Sequence, residues 1–203
     1  MKDLGPRQAL QSSFAFDTWH VYQGKTNDCG PYCVTIVTNG LYRAPLVNAE
    51  VLAAELSQRG FPDRIPGWAT LPWGVARSLR TLGLDARWRF GASLERLFDN
   101  LRGDVTTVVI VGEPLRFVKR KLKSTGKGDR PNDKRPLMAF LRRIPQWRGW
   151  SHYKVLYRWE PDEGMGFVDP QSSAASGMSW QTLDAFRRQW DAMGRQIVEV
   201  RRP

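Results

Sequence analysis

The hydrophobic pattern of this 203-residue chain changes near residue 104, and this change constrains its fold more than any other feature. Before it, apolar residues recur at helical spacing, and after it they form short runs bounded by Gly and Pro. The pattern predicts helices over about 47–59, 72–82, 94–101 and 179–190, and strands over about 85–90, 105–111, 137–141, 152–159, 166–168 and 196–200. Helices first and antiparallel strands afterwards indicate an α+β fold, with a helical half packed on a sheet half.

A further helix is predicted to begin at Cys29. Asn27-Asp28 ahead of Gly30-Pro31 is typical of a helix start, because cap-type side chains precede a proline in the first turn. One apolar stripe at helical spacing then runs to Asn39-Gly40, and it comprises Cys29, Tyr32, Cys33, Ile36 and Val37. The sequence therefore places Cys29 at the N-terminus of a helix.

Composition bounds the class of protein. Hydrophobic residues make up 41% of the chain, which is enough for a buried core, and no apolar run approaches the roughly 20 residues of a membrane-spanning helix. The N-terminal residues show no apolar secretion signal, so we expect a cytoplasmic protein, with specialised secretion as an effector as the alternative. The two cysteines lie four residues apart and form no disulfide framework, which fits a reducing compartment.

Positive charge is concentrated in one segment. The chain carries 31 Lys and Arg and 20 Asp and Glu. Residues 114–135 alone contain nine basic and two acidic residues. This segment is poor in large apolar residues, so we expect a flexible basic loop over 112–136, inserted into a single domain spanning 1–203. Four roles are open for this loop: a solvated loop, a lid, a localisation patch, or a contact for a polyanion or acidic partner. Such a contact would use Arg116, Lys119, Arg120, Lys121 and Lys123.

Three residues have the pattern of a nucleophile, a base and an orienting carboxylate. The exposed N–H groups and positive dipole end of a helix N-terminus stabilise a thiolate, so Cys29 is the candidate nucleophile. His152 begins one predicted strand and Asp169 ends the next, and a turn at 162–164 makes these strands antiparallel neighbours. We therefore expect both side chains at one end of the sheet, where His152 would move the thiol proton and Asp169 would orient the imidazole.

The other polar candidates carry weaker signals. Gln23, six residues before Cys29, could donate its amide to an oxyanion beside the Cys29 N–H, whereas Cys33 lies one turn inside the helix and is expected to pack in the core. His20 is the rival base, but no carboxylate motif stands beside it. No metal or cofactor is expected, because two Cys and two His leave no ligand cluster, and the glycines of 124–128 do not match a phosphate-binding loop.

These neighbourhoods resemble a known family. Gln23-Gly-Lys-Thr-Asn-Asp-Cys29-Gly-Pro, Ser151-His152-Tyr-Lys-Val and Gly166-Phe-Val-Asp169-Pro170 are similar to the papain-like cysteine peptidases, in particular the bacterial group that processes bacteriocins by cleaving double-glycine leader peptides. The resemblance runs from about Trp19 to Trp190. It implies a papain-like fold, with Cys29 as nucleophile, His152 as general base and acid, Asp169 as orienter and Gln23 in the oxyanion hole.

Three functions remain open from the sequence. The first is a thiol hydrolase that cleaves a peptide or isopeptide bond of a peptide or protein substrate through an acyl-enzyme on Cys29. The second is another acyl transfer on the same fold, by a deamidase, a transglutaminase-like toxin or a cell-wall amidase. The third is a non-catalytic module that binds a polyanion through the basic loop. The oligomeric state is not predicted.

Overall fold

Antiparallel strands from both halves of the chain form one central sheet. The structure is a computed structural model that describes residues 5–65, 68–103, 105–113, 116–117, 147–148 and 151–203. Its α-helices are α1 (Cys29–Tyr42), α2 (Ala49–Arg59), α3 (Pro72–Thr81), α4 (Leu94–Arg102) and α5 (Leu183–Ala192). Its strands are β1 (Leu10–Gln11), β2 (Arg64–Ile65), β3 (Ala69–Thr70), β4 (Asp85–Arg89), β5 (Thr106–Gly112), β6 (Arg116–Phe117), β7 (Trp147–Arg148), β8 (Ser151–Glu160), β9 (Gly164–Val168), β10 (Met178–Gln181) and β11 (Ile197–Arg201).

The sheet order places the two longest strands at its centre. The order is β10-β9-β8-β5-β11-β4, with β1 paired to β8, and all neighbours are antiparallel. The hairpin β2–β3 and the antiparallel pair β6–β7 are separate two-stranded sheets. The predicted strand at 85–90 is confirmed as β4, which lies at the edge, and the turn before Gly164 joins β8 to β9 as predicted.

Helices cover both faces of the sheet. Val108 and Ile110 of β5 pack with α1, α2 and α3, whereas the alternating Val109 and Val111 pack with α4 and α5. Strand β5 is buried along its whole length because its apolar run leaves no polar face for water. The expected α+β arrangement, with the helix of Cys29 packed on the antiparallel sheet, is confirmed, and helices α4 and α5 cover the opposite face.

Two predicted helix bounds are wrong for physical reasons. Asn39 does not end α1, because its buried side chain bonds both the N–H and the carbonyl of Val47, and Gly40 leaves room for the ring of Phe16. The helix continues to Tyr42, and Arg43 caps its C-terminus in the left-handed conformation, with φ 55. Residues 178–181 pair with β9 as strand β10, so α5 begins only after Thr182, whose hydroxyl accepts the Ala185 N–H.

Part of the sequence prediction falls outside the described residues. The predicted strand at 137–141 lies there, as do Lys119, Arg120, Lys121 and Lys123. Within the expected loop at 112–136, Arg116–Phe117 forms β6 and pairs with Trp147–Arg148, and the flexible loop itself stays a prediction. Contact with a polyanion through this segment stays a prediction. In the part of the chain that the structure describes, no helix is long and apolar enough to cross a bilayer.

Candidate active site

The candidate nucleophile stands at the first residue of α1. Cys29 is 9% exposed, and the helix begins with the Tyr32 N–H donating to the Asp28 carbonyl. The predicted capping role of Asp28 is only half right: Asp28 occupies the N-cap position, but its carboxylate makes no capping hydrogen bond. The carboxylate instead forms an ion pair with Arg64, so the first N–H groups of the helix are not occupied by this side chain.

A buried arginine fastens the β2–β3 hairpin to this helix start. Arg64 is 4% exposed and donates to Asp28 and, at 2.8 Å, to the Thr70 hydroxyl. Tyr153 on β8 donates to the Thr70 carbonyl at 2.8 Å. Gly30 permits this close approach, because a Cβ there would lie 2.8 Å from the Cβ of Thr70. The hairpin is thereby held against the turn that carries Cys29.

The candidate base and its carboxylate meet at one end of the β8–β9 pair, as the sequence predicts. His152 follows the first residue of β8, Asp169 follows the last residue of β9, and the imidazole Nε2 donates to Asp169 Oδ1 at 2.6 Å. The other ring nitrogen, Nδ1, is buried and has no hydrogen-bond partner among the described residues. Nδ1 is therefore the nitrogen available to the Cys29 thiol.

Asp169 is held by more donors than the sequence suggested. Its Oδ1 also accepts the Gln171 N–H at 2.8 Å, while Oδ2 lies 2.9 Å from Lys154 Nζ and accepts the Ser179 hydroxyl at 3.3 Å. Sequence reasoning missed Lys154 and Ser179. Lys154 did carry a signal, since it stands two residues after His152 on one strand and alternate residues of a strand share a face. Ser179 had none, because its stretch resembles a helix start.

Electrostatics couple these groups. Burial lowers the pKa of His152, but the hydrogen bond to Asp169 and the interaction with Cys29 outweigh burial and raise it to about 9. Burial works in the opposite direction on Asp169, whose pKa is nevertheless held well below its usual range by His152 and Lys154. These shifts favour an imidazolium that faces an ionised carboxylate.

Gln23 lines the same cavity as Cys29, and hydrogen bonds within its own loop hold its side chain. It is 3% exposed, and its backbone N–H donates to the Pro170 carbonyl at 2.8 Å, which links this loop to the residue after Asp169. Its side-chain Nε2 donates one hydrogen to the Thr26 carbonyl at 2.8 Å. A primary amide has two N–H donors, and this hydrogen bond uses one of them.

A cavity of about 210 Å³ opens on these side chains. It is lined by Gln23, Asn27, Cys29, Trp68, Ala69, Thr70, Ser151, Tyr153 and Gln171. A larger cavity of about 790 Å³ shares none of these residues and has neither cysteine nor histidine in its lining. Cys29 and Gln23 therefore line the smaller cavity, and His152 lies between two further lining residues, Ser151 and Tyr153. The exposed Trp68 on the β2–β3 hairpin also lines it.

The two residues set aside by sequence reasoning lie close by. Cys33 is fully buried in the core, as predicted, and burial first, then Cys29 and Asp169, raise the pKa of its thiol well above its usual range. His20 Nε2 donates to the backbone carbonyl of Asp169 at 3.1 Å and so braces the carboxylate segment. Within the described ranges, no group of three or more His, Cys, Asp or Glu is arranged to hold a metal ion.

Comparisons with known proteins address the fold. No protein-family model and no curated protein matches the sequence. A C39-like peptidase from Bacillus anthracis superposes with a TM-score of 0.62 at 14% identity, over 95% of this chain and 97% of that one. The peptidase domain of Streptococcus ComA, a bifunctional ABC transporter involved in quorum sensing, superposes with a TM-score of 0.55 at 19% identity, over 92% of this chain and 99% of that one.

The chain has the fold of the C39-like peptidases. The predicted α+β, papain-like fold is confirmed, and so is the resemblance to the bacteriocin-processing group, at the level of the fold. Both neighbours are described as peptidases. The roles of Cys29, His152, Asp169 and Gln23 are not tested by these superpositions.

Proposed function

We propose that this protein is a cysteine peptidase that cleaves a peptide or isopeptide bond through an acyl-enzyme on Cys29. The observation that carries the proposal is a thiol at a helix N-terminus that lines a cavity and interacts with the buried, hydrogen-bonded His152–Asp169 pair. The C39-like fold supports it independently, because the fold is used by peptidases.

In the first half-reaction, His152 Nδ1 takes the thiol proton, and the Cys29 sulfur attacks the carbonyl carbon of the scissile amide. The carbonyl oxygen becomes an oxyanion that accepts the Cys29 backbone N–H and the second Nε2 hydrogen of Gln23. Collapse of this intermediate breaks the C–N bond, and Nδ1 returns its proton to the leaving amine. The product is a thioester on Cys29 and a free amine.

In the second half-reaction, a water molecule gives a proton to His152 Nδ1 and its oxygen attacks the thioester carbon. Collapse breaks the C–S bond, releases the new carboxyl group and returns the proton to the Cys29 sulfur. Throughout both steps, Asp169 Oδ1 holds the Nε2 hydrogen, which keeps Nδ1 directed at the sulfur and stabilises the imidazolium. The residues therefore close a complete cycle without a cofactor being invoked.

The deciding experiment is the pH dependence of iodoacetamide alkylation at each cysteine, mapped by mass spectrometry. An ordinary thiol reacts as its thiolate, which forms at about pH 8.5. We expect Cys29 to react fast already at pH 6 in the native protein and to need a pH near 8.5 in folded His152→Ala. Cys33 serves as the internal control, because its burial should leave it unmodified in both proteins.

Activity is then read by mass spectrometry of peptide libraries, with Cys29→Ser as the inactive control. Cleavage by the native protein and none by Cys29→Ser is expected. If Cys29 shows the same alkylation profile with and without His152, no activated pair exists and the peptidase proposal fails. A mass change of one unit on a substrate glutamine, or conjugation to an amine, would instead assign the same nucleophile to deamidation or transfer.

A further inference from the structure

A buried lysine stands behind the candidate carboxylate. Lys154 on β8 is 7% exposed, although lysine is almost never fully buried unless it is paired. Its Nζ lies 2.9 Å from Asp169 Oδ2 and donates to the Ser179 hydroxyl at 3.4 Å, and it lies over the ring of Phe167. The reaction described above gives Lys154 no step, so its burial at the site calls for a role.

The two oxygens of Asp169 have different partners. Oδ1 accepts from His152 and from the Gln171 N–H, and Oδ2 is held by Lys154 and Ser179. Removing either Oδ2 partner leaves Oδ1 in its two hydrogen bonds. The carboxylate can therefore lose the lysine charge without losing its place beside His152.

Among the described residues, two buried groups that face this cluster are held neutral. On α1, Cys33 is fully buried with a raised pKa, and on β8 the phenol of Tyr153 is buried with its pKa raised by burial and then by Cys29 and Cys33. His20 reaches only the backbone carbonyl of Asp169. The groups whose charge raises the pKa of His152 are Cys29 and Asp169, and Lys154 is the cation paired with Asp169.

We propose that Lys154 is a positioning residue that fixes Asp169 Oδ2 and offsets its charge, so that His152 can release its proton to the leaving amine. The proposal rests on the function proposed above. An imidazolium that faced an uncompensated buried carboxylate would be a weaker acid, whereas proton transfer is most efficient when the pKa of the group lies near the working pH. With Lys154 in place, Asp169 orients the ring without holding its proton too tightly.

The test is an NMR titration of the His152 ring in the full-length protein, in native, Lys154→Met and Lys154→Arg forms. The chain has only two histidines, so His20→Gln assigns the signals. Loss of the cation should raise the pKa of His152 by roughly half a unit to one unit, because a neighbouring positive charge disfavours the imidazolium. Lys154→Arg keeps the charge and should stay within about 0.3 unit of the native value.

Two further variants separate charge from hydrogen bonding. Lys154→Gln removes the charge but keeps an amide donor for Oδ2, so it should raise the pKa of His152 as Lys154→Met does. If Lys154→Met does not fold, Lys154→Gln takes its place in the test. Ser179→Ala removes the other Oδ2 hydrogen bond and keeps the cation, so its shift should be smaller. An unchanged or lowered pKa in folded Lys154→Met or Lys154→Gln overturns the role of Lys154.

Failure of this inference is distinguishable from failure of the proposed function. If the native protein shows fast alkylation of Cys29 at pH 6 and the His152 pKa does not move in the lysine variants, the peptidase proposal stands and the role of Lys154 is wrong. If the pKa rises as expected but Cys29 is not activated in the native protein, the electrostatic role of Lys154 stands and the peptidase proposal fails.

Discussion

The two ends of the candidate site are each held by a buried cation paired with a carboxylate, yet the two pairs do different work. At the thiol end, Arg64 and Asp28 tie the β2–β3 hairpin to the helix start, and Asp28 directs its carboxylate away from the helix N–H groups. At the imidazole end, Asp169 contacts the ring of His152 directly. The first pair fixes backbone, and the second pair sets the charge of a reacting group.

This difference predicts which measurements each pair controls. Changes at the imidazole end should alter the pKa of His152 and the reactivity of Cys29. Changes at the thiol end should alter the free energy of unfolding and leave the pKa of His152 in place.

The largest effect is expected from Asp169→Asn. Without the carboxylate, burial is opposed only by Cys29, so the pKa of His152 should fall well below 9. The rate of Cys29 alkylation at pH 6, and of any peptide cleavage, should drop by about 10²- to 10⁴-fold. NMR titration and mass-spectrometric alkylation measure the two quantities.

The matched control for Asp169→Asn is Asp99→Asn. Asp99 also pairs with a basic residue, Arg102, but its side chain is 63% exposed and lies on α4 outside the site cavity. It should leave both quantities at native values. Native-like alkylation in Asp169→Asn would show that the imidazole end does not control the thiol.

The second effect is a pH dependence of stability. The pKa of His152 is raised to about 9 in the folded protein, so its contribution to the free energy of unfolding is complete below its unfolded value of 6.5 and is lost as the pH rises through about 9. A shift of this size corresponds to about 3 kcal/mol. Urea denaturation at pH 6, 7.5 and 9 should show this loss.

Asp169 has the opposite dependence. Its pKa is lowered, so its contribution to the free energy of unfolding is present above its ordinary value of 3.8 and is lost as the pH falls below that value.

The control for the His152 prediction is His152→Gln, because it removes the titrating ring and should flatten the decline in stability between pH 6.5 and 9. An equally steep decline in His152→Gln would assign the pH dependence to other groups.

The imidazole end could be predicted from the sequence, and the thiol-end brace could not. His152 and Asp169 lie on the two strands of one hairpin, so their proximity follows from strand pairing and the turn before Gly164. Arg64 lies 36 positions from Asp28, on a strand of two residues that has no periodic pattern. Its contact with Asp28 depends on how the hairpin packs on α1, which no local signal records.

The errors in the sequence prediction have the same origin. Ser179 and Thr182 both suit a helix start, but pairing with β9 makes 178–181 a strand and leaves the capping role to Thr182. Asn39-Gly40 suits a helix end, but both residues serve packing against neighbouring segments. Local preferences are weak compared with burial and strand pairing, so tertiary contacts decide such positions.

The smallest effect, and the sharpest test of the division, is expected from Arg64→Met. The variant removes the donor to the Thr70 hydroxyl and leaves Asp28 without its cation. Breaking a fully buried pair costs about 3–5 kcal/mol, but Asp28 keeps 19% of its side chain exposed and can be hydrated, so we expect a loss of about 2 kcal/mol in the free energy of unfolding. Urea denaturation measures this loss.

The pKa of His152 should nevertheless stay near 9 in Arg64→Met, because Arg64 is bonded to Asp28 and Thr70 and makes no hydrogen bond to the His152–Asp169 pair. The control is Arg102→Met on α4, whose ion pair with Asp99 is solvent-exposed and should cost about 0.5 kcal/mol or less. A shifted His152 titration in Arg64→Met would mean that the position of the β2–β3 hairpin affects the imidazole. Tyr153 would connect the two, because it donates to the Thr70 carbonyl and neighbours His152 on β8. An unchanged stability would instead mean that Gly30 packing alone holds the hairpin on the helix, and that the buried arginine contributes nothing to the thiol end.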